Sequence, residues 1–280
     1  MGDLAQQTAV TPAHHLDDLG ADRHFTATLH DDWEIWGPEG GYVAAVALRA
    51  AGAVSPFARP ASFSCHYLTV ANFAPVDLVV TPLRSGRTAL SQRVEMTQDG
   101  RPILSAMVWS VGQIEGLVHR DLRPPEVPNP DQLRSPAELW PDRNRSFNFW
   151  DNFDQRPVDF FEQWPPAGPA PPEFRTWVRA HPPLSSSDPW IDAARTLIVM
   201  DVLSWPAGSR PHAYLEPPFI APSLDLYVAF QQCATNDQWL LLDGYSPVAD
   251  DGLLSWTGRV WNLERQLVAS GGGQAVFRHT

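Results

Sequence analysis

The chain has 280 residues, 44% hydrophobic and 19% charged, with 28 Pro, 12 Trp and 20 basic residues, all Arg. That composition excludes a disordered chain, and the length admits two modest domains or one large one. A net charge of −12 excludes sequence-independent nucleic-acid binding, which needs Lys/Arg surfaces to displace counterions.

In chain order, residues 1–22 read as a flexible or loosely docked lead-in without an apolar signal core. Residues 23–29 and 33–36 alternate as one hairpin. Gly37-Pro38-Glu39-Gly40-Gly41 breaks the chain, and an Ala-rich helix, apolar almost all round, follows over 42–53. Strands are predicted over 62–70 and 76–83, then a hairpin 90–97/103–111 turned at Asp99-Gly100. Residues 113–143 are rich in Pro and charge and lack periodicity, which marks a linker.

Beyond the linker the order repeats. Strands are expected over 153–161 and 174–180, a helix capped within 185–188 over 190–203, then strands over 224–230, 239–245, 254–261 and 267–277. Local echoes support a duplication about 160 residues apart: Pro60-Ala61-Ser62-Phe63 against Ala221-Pro222-Ser223-Leu224, and Ile103-Leu104-Ser105-Ala106 against Leu267-Val268-Ala269-Ser270. A period this long means a duplicated domain. One helix followed by a meander, twice, predicts an α+β chain divided into a lead-in (1–22), an N-terminal domain (23–112), a linker (113–146) and a C-terminal domain (147–280).

Cys65 and Cys233 fall in the two matching first strands and are too few for a disulfide framework, so a reducing compartment is expected. The longest apolar run, 42–54, contains Arg49 and is too short to span a bilayer. A cytoplasmic protein is the expectation. The nine His show no metal-site spacing, and no Gly-x-Ser-x-Gly elbow occurs.

Four segments carry a resemblance: Gly40-Gly41-Tyr42 opening a helix; Thr97-Gln98-Asp99-Gly100-Arg101-Pro102-Ile103; Arg156-Pro157-Val158 with Trp177-Val178-Arg179; and Leu267-Val268-Ala269-Ser270. On these the chain resembles the acyl-CoA thioesterase II family, whose members carry two hot-dogs in tandem. The resemblance implies a double hot-dog, two antiparallel sheets each wrapped round one central helix. It also implies hydrolysis of an acyl thioester, CoA- or carrier-protein-linked, without a metal or redox cofactor. In that family an Asp ending the second helix, a Thr or Ser opening the next strand and a Gln on the last strand position the water.

Asp201 matches the Asp, and it shares a helix face with Leu197 and Ile198. Ser223 matches the hydroxyl, with Asp225 two residues on as a reserve acid. The Gln position holds Gly273, and Gln274 comes one residue late. Strand alternation points Gln274 away unless Gly271-Gly272-Gly273 forms a bulge, which is the expectation adopted. Gly40, Gly41 and Tyr42 open a helix whose amides suit a developing oxyanion. The first helix has no acid over 43–51, so the N-terminal domain is expected to support binding rather than supply the base. Arg84, Arg87 and Arg93 are candidates for the CoA phosphates.

Two alternatives stay open. Gly273 in the Gln position motivates a non-hydrolytic acyl- or polyketide-binding protein, cyclase- or dehydratase-like, and Asp201 with His212 imitates a hydratase spacing. The aromatic run Phe147-Asn148-Phe149-Trp150 is core or interface, or the wall of an acyl tunnel. A further homo-oligomer is compatible with the pattern.

Overall fold

A computed structural model describes residues 2–13, 22–141, 147–184, 186–214, 219–234 and 238–279. Among these residues the helices are α1 (Leu4–Gln7), α2 (Gly40–Val54), α3 (Pro136–Leu139), α4 (Pro189–Asp201) and α5 (Ser204–Ser209). The first six strands are β1 (Thr11–Pro12), β2 (Arg23–Thr28), β3 (Arg59–Tyr67), β4 (Pro75–Ser85), β5 (Ala89–Gln98) and β6 (Arg101–Val111). The rest are β7 (Phe153–Pro157), β8 (Glu173–Ala180), β9 (Phe219–Ile220), β10 (Asp225–Phe230), β11 (Trp239–Asp250), β12 (Leu253–Trp261), β13 (Leu267–Val276) and β14 (Arg278–His279).

Twelve strands form one antiparallel sheet in the order β1-β2-β4-β5-β6-β3-β10-β13-β12-β11-β8-β7, and β9 pairs with β14 apart from it. The order is the same outward from the centre in both halves. The two expected sheets are thus halves of one, fused where β3 pairs antiparallel with β10 (Leu226 opposite Cys65, Val228 opposite Phe63). Alternation builds each half: Val76, Leu78 and Val80 of β4 and Leu90, Gln92, Val94 and Met96 of β5 are buried. They cover α2, whose small side chains from Ala44 to Ala51 let sheet and helix approach closely. The tight turns repeat as well. Asp99-Gly100 and Asp251-Gly252 all have positive φ (50°, 75°, 49° and 77°), as a two-residue hairpin turn requires.

The two helices lie side by side and antiparallel. A Cβ on Gly41, near the start of α2, would lie 2.6 Å from Leu197 O near the end of α4. A Cβ on Gly52, near the end of α2, would lie 2.7 Å from the Trp190 ring at the start of α4. The double hot-dog arrangement follows, with a pair of helices inside one curved sheet.

Several local expectations are corrected. The hairpin 23–36 does not form: β2 pairs with β1 and β4, and residues Asp31–Trp33 make a 3-10 turn. Burial decides this, because Trp33 stacks on Tyr42 at 5.2 Å and meets Phe149 and Phe153 edge-on. Residues 2–13 are docked: Leu4 is buried, and Gln7 bonds both Trp33 Nε1 and Asp32. The strand predicted over 153–161 stops at Pro157, where the Val158 and Asp159 amides both turn onto Arg175 O. The helix 190–203 breaks after Asp201, and α5 starts anew at Ser204. Cys233 lies past the end of β10 and is exposed, whereas Cys65 is buried in β3. The predicted linker is tied to the C-terminal half, with Pro128 O accepting from Trp177 Nε1 and Val127 O from Arg265. Ser185, in the predicted cap, and His14-His15 lie outside the described residues; Asp188 caps α4 by accepting from the Trp190 amide at 2.8 Å. Among the described residues no helix is long and apolar enough to cross a membrane.

Candidate active site

The end of α4 and the start of α2 meet beneath the fused centre of the sheet. Asp201, the last residue of α4, is 6% exposed, carried inward on the face it shares with the fully buried Leu197 and Ile198. Ser223, two residues before β10, donates its hydroxyl to Asp201 Oδ1 at 2.9 Å. The two glycines of α2 complete the contact. A Cβ on Gly40 would stand 2.6 Å from Asp201 Oδ2 and 3.2 Å from the Tyr67 ring, and one on Gly41 would strike the α4 backbone. Gly40 and Gly41 therefore let the helix start close onto Asp201 itself.

A second acid, absent from the residues singled out in the sequence, sits at the same point. Glu39 caps α2: its Oε2 accepts from the Tyr42 amide at 2.6 Å, and the residue is only 4% exposed. Its Oε1 is buried and has no hydrogen-bond donor among the described residues. Burial, then the neighbouring Asp201 charge, pushes the Glu39 carboxyl well above the usual carboxylate range. Burial also raises Asp201, against the opposing pull of the Ser223 hydroxyl, Glu39 and the Gly41 amide. Tyr67, ending β3, aims a buried hydroxyl into this region, kept protonated by burial and by the charge of Asp201. The Cys65 thiol beside it is likewise pushed up, chiefly by burial.

Glu39 was hidden by its place in a Gly/Pro break that reads as a turn. The available signal was chemical: a Glu, not the usual Ser, Thr, Asp or Asn, stands where the helix cap belongs. For Tyr67 the signal was alternation, since the buried Phe63 and Cys65 just before it in β3 put it on the inward face.

The other candidates are placed elsewhere. The expected glycine bulge is absent: β13 pairs with β12 in unbroken register through Gly272–Thr257, Gly273–Trp256 and Gln274–Ser255, and the Gln274 side chain is exposed. The irregularity lies on the opposite strand. Ser223 pairs with Ala275 but Tyr227 with Gly272, so three residues (224–226) face two (273–274). Gly273 permits this, because its Cβ would fall 2.3 Å from Asp225 O. Asp225 in turn is engaged by the Gln274 amide, which donates to its Oδ1 at 2.7 Å.

The Tyr42 side chain also leaves the site, while its amide stays there on Glu39. The side chain is fully buried, and its hydroxyl donates to Gln7 O at 2.8 Å. Arg84 and Arg87 are exposed at the β4–β5 turn, and Arg93 is exposed next to Glu95 at 3.7 Å. That region adjoins the far end of α2, where Gln92 Nε2 donates to Ala51 O. At 1.5 Å per residue, the 15-residue helix α2 separates it from Asp201 by roughly 20 Å. The Arg triplet and Asp201 are thus on opposite ends of the domain. Among the described residues no group of three or more His, Cys, Asp or Glu is placed to hold a metal ion.

Two helices inside one fused sheet, with a buried carboxylate at their junction, define a double hot-dog protein. The chain belongs to the acyl-CoA thioesterase family: the family's N-terminal domain model matches residues 29–111 and its C-terminal domain model residues 124–276. Among solved structures it is similar over 99% of both chains to an acyl-CoA thioesterase II from Mycobacterium marinum, at 21% identity and a TM-score of 0.78. A conserved hot-dog protein from Alicyclobacillus acidocaldarius superposes with a TM-score of 0.76 at 18% identity, over 99% of this chain and 98% of that one. A dehydratase domain from Mycobacterium tuberculosis shares the fold more distantly, at 0.55 and 14% identity, over 98% of this chain and 99% of that one.

Proposed function

We propose that the protein hydrolyses acyl thioesters, with acyl-CoA as the substrate class, and that Asp201 is the general base. The observation that carries this is the Ser223–Asp201 hydrogen bond at the junction of α2 and α4 in a chain of this family. Asp201 takes a proton from water, the water oxygen bonds to the thioester carbon, and the tetrahedral species collapses with cleavage of the C–S bond. The proton held at Asp201 then returns to the departing thiolate, so acid and thiol are the products. Ser223 fixes the carboxylate rotamer. The Tyr42 and Val43 amides are engaged by Glu39 and the Gly41 amide by the two carboxyls, so the Gly40 amide is the first-turn donor assigned to the carbonyl oxygen.

The test is thiol release from a panel of short, medium and aromatic acyl-CoAs. Asp201→Asn is expected to lower kcat by ~10²–10⁴, the usual worth of a general base. Undiminished release in that variant removes Asp201 from the mechanism. A second reading, binding without hydrolysis, is favoured by one observation: with Gly273 in the strand and Gln274 turned outward, β13 brings no side-chain amide to Asp201. It predicts no thiol from any substrate together with ligand-dependent thermal stabilisation.

A further inference from the structure

We propose that Glu39 is a positioning residue that shares a single proton with Asp201 across the junction of the two halves, so that the base is a carboxylic acid–carboxylate pair. The inference deepens the hydrolase reading and rests on it for the role, though not for the proton.

The geometry leaves little else. Glu39 Oε2 is taken by the Tyr42 amide, and Oε1 is buried without a donor. Asp201 Oδ1 is taken by Ser223, and the missing side chain at Gly40 holds Oδ2 against the start of α2. Each element packed here contributes a neutral or acidic group. These are the Gly41 and Tyr42 amides from α2, Cys65 and Tyr67 from β3, Ser223 ahead of β10, and Asp225 within it, which bears on Cys65. Among the described residues neither acid makes an ion pair, and no Arg or His is among the groups that perturb them. Glu39 precedes Gly40, whose Cβ would stand 2.6 Å from Asp201 Oδ2, so two carboxyls more than nine-tenths buried adjoin with no cation among the described residues; only one of them ionises, and the other keeps a proton and donates it.

The partners are unequal. Asp201 accepts from Ser223 as well, so it is the better carboxylate, and Glu39 is the acid that donates to it. Glu39 thus aims Asp201 and keeps it ionised while remaining neutral itself. When Asp201 takes the proton of water the pair holds two protons; transfer of one to the thiolate restores the resting state.

The proton is counted on the resting protein, with no substrate present, by carboxyl titration using ¹³C-labelled Glu and Asp. One protonated carboxyl is expected near neutral pH, absent in Glu39→Gln, and its midpoint shifts toward acid in Asp201→Asn as the neighbouring charge disappears. Finding every carboxyl ionised near neutral pH overturns the proposal, and the wild-type spectrum alone decides it even if a variant does not fold. The functional arm is the pH profile of kcat/KM. Wild type loses activity on the alkaline side as Glu39 ionises; Glu39→Gln, a permanent donor, loses that alkaline fall, whereas a purely structural Glu39 leaves the profile unchanged. Hydrolysis with both acids ionised rejects the shared proton. A shared proton without thiol release rejects the hydrolase reading instead.

Discussion

The helices α2 and α4 meet at both ends, and the two meetings are chemically opposite. At the start of α4, Asp192 is buried but fully matched, accepting from Arg195 at 2.5 Å and from the Ala234 amide at 2.6 Å. Asp188 beside it faces Arg49, and the Trp190 ring fills the space over Gly52. At the end of α4, Asp201 meets Glu39 with no cation among the described residues and two glycines in place of a ring. The helices are one pair, yet the burial of an acid means different things at its two ends. A buried acid matched by a cation and an amide is a structural fixture; one set against a second buried acid, with only neutral donors around the two, favours holding a proton, and that makes it available for chemistry.

The contrast is broken most sharply by neutralising one acid at each end. Asp201→Asn is expected to cost ~10²–10⁴ in kcat with the fold intact. Asp192→Asn is expected to cost about 3–5 kcal/mol in denaturant unfolding, because it breaks the buried Asp192–Arg195 ion pair. Its kcat per folded molecule should match wild type. Activity loss and stability loss falling on the same variant would collapse the distinction.

The glycines come next. Gly41→Ala drives a methyl into the α4 backbone, which cannot step aside, and should lower stability by about 1–3 kcal/mol in thermal melts. Gly52→Ala meets the Trp190 ring, a side chain with some freedom, and should cost less.

The pH dependence of stability separates the ends a third way. The raised Glu39 and Asp201 carboxyls bind more protons in the folded protein than in the unfolded chain, over the range from the ordinary carboxylate region up to their raised values. Stability from this pair is therefore greatest on the acid side of that range and is lost as pH rises through it, by up to ~1.4 kcal/mol per pH unit for each proton. Glu39→Gln should flatten that descent in denaturant titrations, and a variant curve parallel to wild type would contradict it. The smallest effect is expected for Gln274→Ala: within about 0.5 kcal/mol in stability and no measurable change in thiol release, since its side chain faces solvent.

Asp201 and Ser223 were singled out because the family resemblance matches both positions, and the local pattern agreed with it: the acid on a helix face with Leu197 and Ile198, the hydroxyl just ahead of a strand. Glu39 was not, because a capping side chain inside a Gly/Pro break has no periodicity to declare its direction. Gln274 was misjudged for a related reason. The residues of a glycine run permit a bulge but do not require one, and the extra residue went to the Ser223–Asp225 side, where Asp225 could take the Gln274 amide. The Arg84, Arg87 and Arg93 cluster was read on charge alone; its turn lies at the far end of α2, roughly 20 Å from Asp201.

By itself the sequence determined what neighbours in the chain decide: the alternating strands, the Asp-Gly turns, the Ala-rich helix and the duplication that pairs them. Tertiary structure decided what depends on residues far apart. It fused two sheets through β3 and β10, and it brought Glu39 of one half against Asp201 of the other, 162 positions later. The physical reason is that periodicity and turn chemistry act over a few residues, whereas an acid's ionisation is set by every group within a few ångströms of it, whatever its place in the chain.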